Sequence, residues 1–272
     1  MTTTRSWWKT GLGLFFTALM LFPVYWIVNV SLTKTSDLRK SPPNLLPLNP
    51  TLEGYTAALG QQLPHLTTSL ILGVATVILT LVIAAPAGYA MSLLKLPGRN
   101  SLGFILLVAQ MIPAVVMAMG FYAIYLRLGM LNTLPGLVLA NSTVAVPFAV
   151  LLFRAFMSGI PLELLQAAKL DGAGVWRTFT MIVLPISRNS ILTVSLFAFL
   201  WSWSDFIFAS TLNRSGDLIP ITLGIYKYIG NNTTQWNAIM ATAVIASIPA
   251  AVLLVIAQRY VAAGVTAGAV KD

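Results

Sequence analysis

The chain has no cysteine and a single histidine in 272 residues. Disulfides and thiolate metal sites are therefore excluded, and no histidine cluster exists to hold a metal. His65, beside Pro64 at the mouth of an expected helix, reads as structural. Acidic residues number only 7, and none are paired closely enough in sequence to suggest acid–base chemistry. No G-x-x-x-x-G-K-[ST] stretch occurs, and no glycine is followed by lysine, so the chain lacks the loop that cradles nucleotide phosphates. Charged residues make up 8% of the chain, against roughly 25% in soluble domains. Catalysis and self-contained ATP binding both lack their groups.

What is present is apolar. Hydrophobic residues make up 57% of the chain, and mean hydropathy is +0.84. A bilayer-crossing helix needs ~20 apolar residues. Residues 10–33, 66–94, 100–126, 128–153 and 228–258 carry no charge, and 189–213 carry only Asp205. No barrel-type alternation occurs. The expectation is an all-α integral membrane domain covering residues 1–272, with six transmembrane helices near 11–31, 66–94, 101–126, 134–157, 187–210 and 238–260. The first is expected to be an uncleaved helix rather than a signal peptide, because its run is too long and lacks a small-residue cleavage site.

Prolines 42, 43, 47, 50 and 64 forbid a long helix in the external segment 32–64, although "LEGYTAAL" suits a short one. Pro113, Gly120 and Pro147 inside spans predict bends. Residues 211–237, rich in Gly, Asn and Thr, read as a second external loop, and "QRYVAAGVTAGAVKD" as a water-soluble tail. Six spans put both termini on one side. That side collects Arg5, Lys9, Lys95, Arg99, Arg154, Lys169, Arg177, Arg188, Arg259 and Lys271; the other collects Lys34, Arg39, Lys40, Arg127, Arg214 and Lys227. The bias predicts cytoplasmic termini. The net charge of +9 reflects topology and anionic lipid, with no nucleic acid required.

Between helices four and five lies a cytoplasmic loop, 158–186, that hydrocarbon would reject. Pro161 suits a helix start, and "PLELLQAAKL" has high helix propensity. Asp171, Gly172 and Gly174 break that helix. Val175, Trp176, Phe179, Ile182 and Val183 then share one face of a second helix, which Pro185 is expected to end. Small residues at the bend (Ala167, Ala168, Gly172, Ala173) would let another protein approach closely, as in helix-in-groove recognition. The alternative is an amphipathic helix floating on lipid, but Glu163, Gln166 and Asp171 dilute the basic face that this would need.

"LLQAAKLDGAGVWRTFTMIVLP" resembles the EAA loop of ABC-importer permeases. More narrowly, the chain resembles the smaller permease subunit of maltose-type carbohydrate importers. The likeness runs through "NPTLEGY", "GMLNTLPGLVLA", "WSWSDFIFA" and "GVTAGAVKD", in order, over nearly the whole length. The resemblance implies that Gln166, Ala167, Ala168, Asp171, Gly172 and Ala173 form a coupling helix docked on an ATPase subunit, with Leu184 and Pro185 ending the motif. It implies that the tail, through Gly264, Gly268 and Val270, reaches toward the ATPase dimer, and that 211–237 probes an extracytoplasmic sugar-binding protein. Two positions depart from the family pattern: Gln166 stands for the motif's first Glu, and Asn189 for its second Pro.

The implied partners are a second homologous permease, two ATP-binding subunits, the binding protein and membrane lipid. ATP and magnesium would sit on the partner subunits, with no cofactor or metal on this chain. The expected location is a bacterial inner membrane and the expected cargo a di- or oligosaccharide or related solute. Asp205 lies 18 residues into helix five, roughly 27 Å along it at about 1.5 Å per residue. That places Asp205 and Trp203 near an external gate, or else in a solvated interfacial belt. The competing class is an ion-coupled carrier or channel working without an ATPase, for which Asp205 would be the lone intramembrane ionisable group.

Overall fold

The computed structural model describes residues 7–40, 44–94, 96–213, 215–216, 218–231 and 235–269, with side chains as far as residue 258 except that of Asn231. The described residues form helices and connecting turns, with no strand. Helix α1, Trp7–Ser31, is apolar around its whole circumference and stays exposed until its last turn, where Asn29, Val30 and Ser31 are buried. A helix of this kind needs lipid or another chain around it.

Helix α2 runs unbroken from Glu53 to Leu93. The sequence suggested a short helix and then a span starting at residue 66. Pro64 removes one backbone hydrogen bond, at roughly 3 kcal/mol, yet the turns on both sides are anchored by buried Ala58, Gln62, Leu66 and Ser69. Burial outweighs the missing bond, and the helix passes through.

The expected third span is two helices, α3 (Arg99–Ala109) and α4 (Ala114–Leu128), meeting at 93°. Pro113 has no N–H for the preceding turn and lies in an extended conformation as the cap of α4. The bend that proline predicted is therefore a complete break. Helix α5, Leu134–Met157, matches its expected bounds. Thr133 caps it by accepting the Gly136 N–H, and Gly129 ends α4 in the left-handed region at φ 67°. Asn132, also left-handed at φ 59°, donates its N–H to the Leu212 carbonyl, while its side chain accepts from Ser215. The "GMLNTLPG" stretch is thus a tight corner held by Gly129, Asn132 and Thr133.

Helices α6 (Leu162–Leu170) and α7 (Val175–Thr178) lead through a π-helical turn, Phe179–Val183, into α8 (Leu184–Ile186). Pro185 does not end this segment. The wider turn takes up the residue that cannot donate, and the stop comes at Ser187, before a 78° bend into α9 (Arg188–Trp203). Helix α10 is Ile207–Leu212, α11 is Ile221–Asn231, and α12 runs from Trp236 to Ala269, well past the expected end near residue 260. Helix α11 falls where a loop was expected. Among the described residues four helices are long and apolar enough to cross a membrane, or up to six if each bent pair counts as one span.

The chain forms two compact units, residues 1–64 with 224–248, and residues 65–223 with 249–272. In the first, Ser31 and Tyr55 hydroxyls bond at 2.8 Å, and the Thr35 hydroxyl donates to Asn237 at 3.1 Å. Gly54 lets the start of α2 press on the Asn237 backbone; a Cβ there would lie 2.8 Å from the Asn237 carbonyl oxygen. In the second unit α5 is central, touching α3, α4, α9 and α10. Gly88 brings α2 against α5 so closely that a Cβ would sit 2.4 Å from that of Phe153. Small residues at such crossings are what membrane helices need in order to pack.

Candidate functional site

The loop expected to dock hangs from the end of α5 by a short turn, Ser158–Pro161. Helix α6 then runs its nine residues and stops in a defined way. Gly172 takes φ 77°, its N–H donates to the Lys169 carbonyl at 3.1 Å, and the Ala173 N–H donates to Ala168 at 2.9 Å. This pair of bonds is the Schellman arrangement, and it needs a residue without a Cβ at the left-handed position. Gly174, extended, then caps α7. The break between the two helices has a defined geometry.

Of the motif residues, Gln166, Ala167, Asp171 and Gly172 are exposed, Ala173 is half-buried, and Ala168 is buried against its own chain. Large apolar side chains beside them are bare: Leu170 is 90% exposed and Trp176 is 68% exposed. The opposite side is anchored. Phe179 and Val183 are buried in a core shared with Tyr89 of α2, Met157 of α5, Ile160 and Val194 of α9, with Leu165 packed on it. Phe179 stacks on Tyr89 with ring centres 5.3 Å apart, and Trp176 lies tilted on Phe179, also at 5.3 Å. The loop therefore presents a small-residue bend and an apolar rim on a base that locks it to the ends of three long helices. Its base thus packs on α2, α5 and α9. Of the face expected from the sequence, Phe179 and Val183 are buried and Ile182 is half-buried, while Val175 and Trp176 are exposed; the partner, Tyr89, was hidden because it lies far away along the chain.

The second set of predicted residues, Trp203 and Asp205, lies where α9 breaks. Asp205 accepts the Phe208 N–H and the Ala209 N–H, each at 3.1 Å, and so caps α10. The Asn141 side chain, fully buried in α5, reaches the same carboxylate, while its Oδ1 has no hydrogen-bond partner. The Thr222 hydroxyl donates to the Asp205 carbonyl. Trp203 is buried and stacks on Phe199 at 5.4 Å. Trp201, two residues earlier, is 48% exposed and lines a cleft of about 270 Å³ with Gln110, Phe148 and Phe197. The tryptophan with a free face is Trp201, a distinction set by which side of α9 meets α2, and so hidden in the sequence. Gly264 and Gly268 belong to the helical backbone of α12, and Val270 lies outside the described residues. Among the described residues, no cluster of potential ligands for a metal ion occurs.

Residues 83–267, from the last part of α2 to just short of the end of α12, match the family described as binding-protein-dependent transport system inner membrane component. The chain belongs to this family. As a permease of this kind it is an integral inner-membrane subunit of an ATP-binding-cassette importer, and ATP hydrolysis belongs to separate subunits. It is 31% identical to the trehalose transport system permease protein SugB of Mycobacterium tuberculosis over 92% of each chain. It is also 31% identical to the diacetylchitobiose uptake system permease protein DasC of Streptomyces coelicolor, covering 93% of this chain and 92% of that one. The fold matches a chain of a bacterial ABC transporter involved in import of the acidic polysaccharide alginate. That match has a TM-score of 0.84 over 96% of this chain and 99% of the other, at 21% identity.

Proposed function

We propose that this permease carries a di- or oligosaccharide, or a closely related solute, across a bacterial inner membrane as one of a pair of homologous permease subunits. Six spans, with α3–α4 and α7–α9 counted as broken ones, put both termini in the cytoplasm beside the docking loop. Two ATP-binding subunits, holding ATP and magnesium, sit beneath the pair, and an extracytoplasmic binding protein delivers the sugar. Residues 1–272 act as one permease domain in this reading. The single observation that carries it is the α6 bend: a glycine-dependent turn with small exposed residues, on a base locked into the long helices.

One of the two ATP-binding subunits receives this bend in a groove, and the other receives the bend of the second permease. Gln166, Ala167, Asp171, Gly172 and Ala173 line the contact, with buried Ala168 holding α6 to the base, and the α12 tail with Gly264, Gly268 and Val270 reaches the same subunits. Gln166 offers a neutral hydrogen bond where the family motif offers a carboxylate, which is the weaker of the two. ATP binding closes the nucleotide subunits and draws the bend with them. The Tyr89–Phe179 base passes that displacement to α2, α5 and α9, and the cavity changes the side it faces. Asp205, as the cap at the α9 break, holds the outer end of the pathway, and Trp201 offers an aromatic face to a sugar passing the cleft beside it. Supporting this class of cargo, the relatives above are named for trehalose and diacetylchitobiose. The test is purification from the native membrane in mild detergent with ATPase assay. A nucleotide-binding subunit that co-purifies, and is lost on altering Asp171, Gly172 and Ala173 together, upholds the reading. A chain that arrives alone and moves solute without ATP refutes it.

A further inference from the structure

A second polar feature lies at the docking-loop end of the bundle. Arg99 at the start of α3 and Arg154 near the end of α5 line a cleft of about 470 Å³, together with Ser92 and Ser158. The Arg154 guanidinium donates to the Asn100 side-chain oxygen at 3.1 Å and toward the Arg99 carbonyl at 3.5 Å. Among the described residues neither arginine meets a carboxylate, and the ion pair present is Lys40–Asp37, at 2.9 Å. Gly103 makes room for this arrangement, since a Cβ there would lie 2.5 Å from Arg154 Nη1. Two arginines thus line one opening, the Arg154 guanidinium seated in a glycine-made recess, and no carboxylate among the described residues pairs with either.

Depth in the membrane identifies the anion. Immediately after Arg99, helix α3 turns bare apolar side chains outward: Leu102, Phe104 and Ile105 are exposed. In a bilayer these face acyl chains, so the arginines at their foot stand at headgroup level, where cations are favoured by anionic lipid. Met91 and Leu151 give the cleft an apolar wall, suited to the first carbons of a lipid tail. We infer that this cleft binds the phosphate of an anionic phospholipid headgroup, through the guanidinium groups of Arg99 and Arg154. A phosphate accepts from two guanidinium forks at once. Ser158 lies in the turn that leads to α6, so the bound lipid braces the root of the docking loop. This role rests on the docking reading above; the binding itself does not.

The intact transporter is purified with phosphatidylglycerol present, and native mass spectrometry counts the lipids that survive detergent washing. The wild-type complex should retain one more phosphatidylglycerol per copy of this subunit than the Arg99→Gln, Arg154→Gln double variant, with occupancy falling about tenfold. Gly103→Ala keeps every charge but displaces the guanidinium and should reduce occupancy to an intermediate level; it decides the matter if the double variant fails to assemble. Phosphatidylcholine should not substitute. Equal phosphatidylglycerol retention in wild type and variants overturns the proposal. Displacement of the lipid by inorganic phosphate at physiological concentration also overturns it, assigning the cleft to a soluble anion. Transport and ATPase activity play no part in this readout, so failure here leaves the docking reading untouched, and the reverse holds.

Discussion

Gly172 is the residue on which the shape of the proposed docking bend depends, and its replacement can be worked through. At φ 77° a side chain with a Cβ suffers about 1–2 kcal/mol of strain. Nothing in the chain lies within 4 Å of where that Cβ would be, so there is no internal clash to add. To escape the strain the loop must give up the Lys169 and Ala168 carbonyl bonds, each worth about 1 kcal/mol net at most on an exposed turn. Either route leaves Gly172→Ala with about 1–2 kcal/mol against the docking-competent bend, a factor of roughly 5–30 in its population. Gly172→Val, β-branched, should do worse. Gly172→Asn tolerates the left-handed region and should lose only a few tenths of a kcal/mol from the turn. The assay is ATP-coupled uptake into proteoliposomes beside ATPase stimulation by binding protein. If backbone geometry governs, activity orders as Gly, Asn, Ala, Val. If only bulk in the ATPase groove matters, Ala outperforms Asn. Full coupling by Gly172→Val would refute the reasoning altogether.

Four further outcomes follow from the same structure. Phe179→Ala removes the ring between Tyr89 and Trp176 and should cost about 3 kcal/mol; coupling of uptake to hydrolysis should fall further than binding of the ATPase subunit, measured by co-purification. Gly88→Val forces a side chain into the α2–α5 crossing, where overpacking costs about 1–3 kcal/mol, and should lower the thermal unfolding midpoint in detergent by several degrees. Asp205→Ala removes the α10 cap, at about 1 kcal/mol, whereas Asp205→Asn keeps an acceptor and should retain most stability and uptake. Trp201→Ala should raise the KM for sugar uptake with the unfolding midpoint unchanged, while Trp203→Ala, emptying a buried stack, should lower the midpoint.

Legibility in the sequence followed the range of the forces involved. Helix α5 was readable because its charge-free apolar run is a local signal, whereas the Thr133 cap at its start came from the structure. Helix α2 was cut short at Pro64, since a proline is visible in sequence and the burial that compensates it is not. The break between α3 and α4 was announced by Pro113, but no local pattern fixes a bend of 93°. Helix α11 was missed among its glycines and asparagines, although Ile221, Leu223 and Tyr228, all buried, lie after a Pro220 suited to a helix start. At the docking loop the turn was legible in Asp171-Gly172, a short-range effect. The base beneath it was not, because the Tyr89–Phe179 stack joins residues far apart in the chain. Asp205 drew notice as a charge within an apolar run, but its local task as a cap depends on the break in α9, which apolar composition conceals.

The central claim is that the α6 bend seats in a nucleotide-binding subunit, and the absence of cysteine makes it directly testable. Ala167→Cys supplies the chain's single thiol on the exposed face of α6, and Leu126→Cys supplies one on an exposed site at the far end of α4. Each complex, purified with its partners, is treated with a short thiol-to-amine cross-linker with and without ATP. The account predicts a cross-link from position 167 to the ATP-binding subunit, changing in yield with ATP, and none from position 126. An ATP-binding subunit that assembles in the complex yet never cross-links to position 167 would contradict it.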